Sequence, residues 1–355
     1  LTHHLIAHLS WRSAAETLVL LVAVYGVWAF TSFEASMLDI ERRGTQLMTV
    51  AVMGLGLFMN AGISEAFGTS PWLFVLPMLA ALLGPSGYAA VTGSTPVLRL
   101  HFRRVLVWLS VSGTLWVVGS LVGPQQRLWW WSAAALVDFL GTVTAHPLPG
   151  LRISTEGLDF DAPHMLERMR LLLLILLGET VLSIGSAISA QPHDALVLGC
   201  GAALFVALVA LWFLYFGAGD EVAADQVETT TNPIRSAHTG MVGLYAVMAG
   251  LVVLAGGANL VLAHAHDGSV GVGGILLLLG PALYLLAQGV FLARTAGQSG
   301  RGRLLAAAVL VLGAGAAYVL PAWAVVAALD VVLLVLAAAA RNDLHTESGF
   351  SLSGR

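Results

Sequence analysis

Apolar residues come in long blocks along this chain, and the polar residues fall between the blocks. A helix needs roughly 20 mostly apolar residues to cross a bilayer. By that measure the sequence predicts spans at 11–33, 45–63, 72–91, 104–122, 128–146, 164–189, 195–217, 237–262, 270–293, 303–320 and 322–340. The last two meet at Pro321, which predicts a tight hairpin. Gly and Pro inside several blocks fit lipid-embedded helices, where neighbouring groups satisfy the freed backbone. Strands of a membrane barrel would be about ten residues of alternating character. These blocks are too long and too uniform for that. The expected fold class is an all-α polytopic membrane protein with about eleven transmembrane helices.

Charge placement tests the span count. All 16 basic residues are Arg. If connections alternate sides, one side collects Arg42, Arg43, Arg99, Arg103, Arg104, Arg152, Arg235, Arg294, Arg301, Arg303, Arg341 and Arg355. The other side has only Arg12 and Arg127, while Arg168 and Arg170 lie just inside the sixth span. The positive-inside rule makes the rich side cytoplasmic. The C-terminus is then expected in the cytoplasm of a bacterial cell, with the protein in its inner membrane. Acidic residues in the same connections (Glu156, Asp159 and Asp161; Asp220, Glu221, Asp225 and Glu228) read first as solvated loop, and second as a cation or partner site.

Composition agrees with the spans. Hydrophobic residues make up 58% and charged residues 10% of the 355, where soluble domains carry about a quarter charged. The net charge of -4 and the absence of a basic stripe speak against a nucleic-acid partner. Cys200 stands alone in an apolar run, as a core cysteine does. No charged leader with a cleavage site precedes the first block, so no signal peptide is expected.

Three sequence pairs recur in order. Trp28-Ala-Phe-Thr-Ser-Phe33 ends the first span and Trp212-Phe-Leu-Tyr-Phe216 the seventh; the offset is 184 residues. Leu82-Leu-Gly-Pro-Ser-Gly-Tyr88 and Leu278-Leu-Gly-Pro-Ala-Leu-Tyr284 are offset by 196, and Trp131 with Asp138 matches Trp323 with Asp330 at 192. A duplication is expected, with a first repeat over 1–147, a second over 148–341 and a tail over 342–355. Spans one to five then match seven to eleven. The sixth has no partner, which predicts a 6+6 parallel repeat missing its first helix; parallel repeats commonly enclose a central cavity.

His164-Met-Leu-Glu-Arg168, followed by Leu176-Leu-Gly-Glu179, resembles the signature of the bacterial low temperature requirement A (LtrA) family. The Trp28 segment with Asp39, Ser64-Glu-Ala-Phe67, Pro147-Leu-Pro149 and the Trp212 segment resemble that family in the same order. The likeness covers nearly the whole chain. The family's opening helix, with its Glu-Leu-Phe-Phe-Asp motif, has no counterpart here. The resemblance implies a multi-pass membrane protein linked by name to growth in the cold, and it implies no reaction.

Ionisable groups inside spans are costly and face protein or water. Asp138 lies near the middle of its span and Asp330 at the matching repeat position, with Glu179 in the sixth span. Each reads either as a neutral carboxyl bonded to a neighbouring helix or as a proton or cation site on a pathway. His164, Glu167 and Arg168 open the sixth span, either as a capping and ion-pair cluster or as part of that pathway. Arg168 and Glu179 are eleven residues apart, about three turns, so they point the same way. Glu16 and Asn60 are weaker candidates near span ends. Trp129, Trp130 and Trp131 read as an interfacial belt. His3, His4, His8, His193, His264 and His266 fall on the arginine-poor side without completing a metal site, and no cofactor is implied. His164-x-x-Glu167 lacks the second histidine of a zinc-protease motif, and Gly271 to Gly274 suggest close helix packing rather than a phosphate loop.

The function expected is a transporter or channel for a small solute or ion using buried carboxylates. The alternative is a membrane-embedded enzyme or lipid-handling protein, although no nucleophile–base–acid arrangement is legible. The expected partners are the lipid bilayer and that solute or ion, with homo-oligomerisation left open.

Overall fold

A computed structural model describes residues 1–7, 9–38, 41–150, 160–219, 233–295 and 300–352. Asp39, Arg152, Glu156, Asp159 and the acidic stretch from Asp220 to Glu228 lie outside the described residues. Every predicted span is a helix. In chain order they are α1 (Thr2–Ala7), α2 (Trp11–Ala35), α3 (Arg43–Gly62), α4 (Trp72–Thr92), α5 (Pro96–Leu121), α6 (Pro124–Thr144), α7 (Ala162–Ser189), α8 (Ala195–Leu214), α9 (Pro233–Ala263), α10 (Gly271–Thr295), α11 (Arg301–Gly313) and α12 (Ala322–Leu352). The described residues contain no β-strand. Ten of these helices are long and apolar enough to cross a membrane. The predicted fifth span, α6, has the length at 21 residues. Its Pro-Gln-Gln-Arg start, its tryptophans and Asp138 make it less apolar than the ten.

Local chemistry sets the helix ends. Ser10 and Thr95 accept hydrogen bonds from Ser13 N and Leu98 N, which caps α2 and α5. A π-helical turn over Tyr215–Gly219 closes α8, and a 3-10 turn over Ala314–Tyr318 closes α11 before Pro321. Asp194 caps α8, its Oδ1 accepting from Leu196 N and Val197 N at 2.9 Å each, while His266 Nε2 lies 2.7 Å from its Oδ2. The Val197 N–H, together with His266, holds this carboxyl below the usual carboxylate range. A depressed folded-state value stabilises the fold above the ordinary carboxylate pKa of about 4, and that contribution fades as pH falls through the folded value. The protection factors of the Leu196 and Val197 amides, corrected for intrinsic exchange, are therefore expected to fall on acidification. Asp194→Asn should abolish that pH dependence; if it persists, the cap is not its source.

The chain divides into two units. The first comprises His3–Met165 and Asn232–His238 with Leu1; the second comprises Leu166–Thr231 and Thr239–Arg355 with Thr2. In the first, α2 packs on α4 and α6, α4 lies between α3 and α5, and α5 pairs with α6. Its core is aromatic: Trp116 and Trp131 are fully buried with ring centroids 5.2 Å apart, and Phe67 meets Trp131 edge-on at 4.9 Å. In the second unit α8 packs on α12, and α11 lies between α10 and α12. Helices α9 and α10 meet backbone to backbone, because a Cβ on Gly280 would sit 2.5 Å from Leu254 N and 2.6 Å from Gly250 O. Of the glycines at the start of α10, Gly273 and Gly274 pack closely, a Cβ meeting Leu260 Cβ at 2.8 Å and Ala317 Cβ at 2.7 Å respectively, while Gly271 faces open space with a positive φ of 49°.

Three buried arginines tie helix ends together without a carboxylate among the described residues. Arg104 donates to Ala145 O and His146 O at 3.0 and 2.9 Å, closing the left-handed end of α6. Arg127 donates to four carbonyls, those of Ala66, Gly68, Gly119 and Val122. Arg303 donates to Leu214 O at the end of α8, at 2.9 Å. Helix C-termini carry about half a negative charge, and a guanidinium both neutralises it and fills the orphan acceptors.

Candidate functional site

Asp138 is reached from α5. Trp116 Nε1 donates to Asp138 Oδ2 at 2.9 Å, and Trp131 Nε1 donates to Trp116 O at 3.0 Å, so one carboxylate oxygen is fixed by a locked aromatic pair. The other oxygen, Oδ1, is buried and has no partner at hydrogen-bond geometry among the described residues; the nearby Ser112 hydroxyl bonds instead to Leu109 O at 3.3 Å. Asp330 on α12 is in the same condition, with its Oδ1 buried and unpartnered. Only Thr17 Oγ1 joins them among the buried side-chain oxygens and nitrogens of the described residues. A buried carboxyl oxygen without a donor is expensive unless it carries a proton or meets a cation.

His164 opens onto a polar cavity in the first unit. The cavity has a volume of about 660 Å³ and is lined by Ser36, Arg42, Thr45, Tyr88, Asp161 and His164 among others. Asp161 Oδ1 accepts from His164 N at 2.9 Å, and Asp161 N donates to Ser36 O, which anchors the start of α7 against the end of α2. Next to Ser36, Glu34 is buried, and its Oε1 accepts from Ser86 Oγ on α4 at 2.5 Å. This pair was not foreseen, because Glu34 stands at the end of an apolar block, where snorkelling is the ordinary reading.

The other candidates lie apart. Glu167 is exposed and Arg168 half-buried on the first turns of α7. Glu179 is exposed, between Ile175 and Leu182, which are exposed at 61% and 67%. Glu16 is buried and held by Arg12 Nε at 2.7 Å and His4 Nε2 at 3.0 Å, a structural lock at the head of α2. His264 Nδ1 bonds to Leu260 O, while His266 pairs with Asp194. No cluster of three metal-ligating side chains exists among the described residues.

A second feature invisible in the sequence gathers around the end of α6. The His146 ring lies 5.4 Å from that of Phe30 and 6.2 Å from that of Trp108, and His238 Nε2 bonds to Thr142 O. These partners are 38 to 116 residues apart in the chain, so no local pattern announces them.

The sequence profile of the bacterial low temperature requirement A protein (LtrA) matches residues 1–338. The chain belongs to the low temperature requirement A family. An uncharacterized protein of Rhizobium meliloti (strain 1021) is 30% identical to it over 276 residues, which is 77% of this chain and 68% of that relative. No solved structure matches. Membership confirms a multi-pass membrane protein and agrees with the resemblance carried by His164 to Glu179. It assigns no chemistry to Asp138 or Asp330.

Proposed function

We propose that this member of the low temperature requirement A family is a transporter or channel for a small ion or solute, with Asp138 and Asp330 as its proton- or cation-binding carboxylates. The observation that carries the reading is the pair of buried, unpartnered Oδ1 atoms on those two aspartates. Intramembrane carboxylates of this kind mark ion pathways and proton relays. The polar cavity beside His164 and Arg42 gives one unit room for water and small ions, with Glu34 next to its wall. Glu179 adds a carboxylate among apolar neighbours, a position that must meet water or a protein group rather than lipid.

A duplicated architecture fits the two aspartates. Pairing α2 to α6 with α8 to α12 makes three packed pairs recur: α2 on α6 with α8 on α12, α4 on α5 with α10 on α11, and α5 on α6 with α11 on α12. The tight contacts of α3 on α4 and of α9 on α10 also correspond, through Gly62 and Gly257, 195 positions apart. The arginine-rich connections are placed in the cytoplasm and the protein in the bacterial inner membrane, by the positive-inside rule.

The test is flux through liposomes that carry the purified chain and a trapped pH indicator. Asp138→Asn and Asp330→Asn are each expected to slow a proton or cation leak by about tenfold or more, since amides cannot titrate. Glu179→Gln should slow it less. Equal flux through wild type and both asparagine variants would remove the basis of the proposal.

A further inference from the structure

In the second unit a cavity of about 60 Å³ lies beside Arg303. That is room for a few water-sized particles. Its walls are mostly apolar, with Met169, Leu244, Val247 and Phe291 among them. Gly243 leaves the space open, since a Cβ there would meet nothing within 4 Å, whereas a Cβ on Gly240 would already touch Met169 Sδ at 3.3 Å.

Arg303 is 8% exposed, and Gln288, which also lines the cavity, is 7% exposed. Arg303 Nε donates to Gln288 Oε1 at 3.2 Å and its Nη2 to Leu214 O at 2.9 Å. No carboxylate among the described residues pairs with it. Arg127 shares its charge among four carbonyls. Arg303 has one carbonyl and one amide oxygen. The end of α8 offsets about half a charge, and the N-terminus of α11, in whose first turn Arg303 stands, adds about half a charge back. A buried cation left in this state needs an anion.

We propose that the cavity is an internal binding site for a weakly hydrated monovalent anion, of the iodide, nitrate or thiocyanate type. The Arg303 guanidinium supplies the charge, and the Gln288 amide nitrogen supplies a further donor. The apolar walls select against strongly hydrated ions such as sulfate, because those ions would have to give up more solvation on entry. The site lies in a different unit from Asp138 and does not depend on the carboxylate reading.

The experiment is binding of radioactive iodide to the purified full-length chain in detergent, by a proximity assay, with nitrate, sulfate and dodecanoate as competitors. Saturable binding of about one iodide per chain is expected, displaced by nitrate and far less by sulfate; Arg303→Gln should weaken it by about tenfold or more, or 1.4 kcal/mol. Gly243→Val fills the cavity while keeping Arg303, so it should abolish binding in a protein that elutes and melts like wild type. That variant decides the matter if Arg303→Gln fails to fold. Absence of saturable iodide binding, or unchanged binding in Gly243→Val, overturns the proposal. Displacement by dodecanoate and not by nitrate also overturns it, since the site would then take a lipid carboxylate.

Discussion

Gly257→Val should leave little folded protein, and Gly257→Ala should lower the melting temperature sharply. A Cβ on Gly257 would overlap the Leu277 backbone nitrogen and lie 2.6 Å from Leu277 Cα and 2.8 Å from Leu276 C. These are backbone atoms of α10, so no rotamer change relieves the clash. The opposite side is equally closed, because Gly280 abuts Leu254 N and Gly250 O. The helices must separate, and every contact along the seam weakens together. Overpacking of flexible cores costs about 1–3 kcal/mol, and a rigid backbone seam belongs at or above the upper end. Gly199→Ala on α8 is the control, because its Cβ would meet nothing within 4 Å. Helix propensity alone favours that change by up to about 1 kcal/mol. The readout is the melting temperature in detergent by size-exclusion chromatography after heating. If Gly257→Ala and Gly199→Ala melt alike, the seam does not govern stability.

The spans were legible because lipid imposes one rule on every helix, that of about 20 apolar residues. Their ends were less so. The last helix runs on to Leu352, well past the predicted end at 340, since a polar helix can continue once the apolar requirement ends. Asp138 and Asp330 were legible as charges inside apolar blocks, but Trp116 as the partner of Asp138 was not, since it is 22 residues away on another helix. His164 was placed by motif, yet the cavity it lines also needs Arg42 and Tyr88, which carry no motif. The buried arginines were hardest to read. Arg127 and Arg303 count as loop charges in any tally of sides, and what buries them is a set of backbone carbonyls, which every residue has. Acceptors of that kind leave no signature in a sequence.

Arg127 is for that reason the sharpest test of how the first unit holds together. Its Nη1 donates to Ala66 O at 3.0 Å and Gly68 O at 2.7 Å, and its Nε and Nη2 donate to Gly119 O and Val122 O at 3.3 and 3.4 Å. Its guanidinium carbon also stands 5.6 Å from the Trp131 ring centre. One side chain therefore joins the loop after α3, the end of α5 and the start of α6. Arg127→Leu strands these carbonyls in an apolar setting, at about 1–3 kcal/mol for each acceptor that finds no water. Even two such losses give a deficit of roughly 4 kcal/mol, a large share of a marginal stability. Arg127→Lys separates charge from geometry. An ammonium keeps the cation but lacks the planar fork that reaches several acceptors at once. It should recover less than half of the melting temperature lost in Arg127→Leu. If lysine restored wild-type stability, the charge beside Trp131 would be the stabilising feature and the carbonyl fork incidental. If leucine were harmless, water would already be serving those carbonyls, and the buried arginine would not be holding these helix ends together.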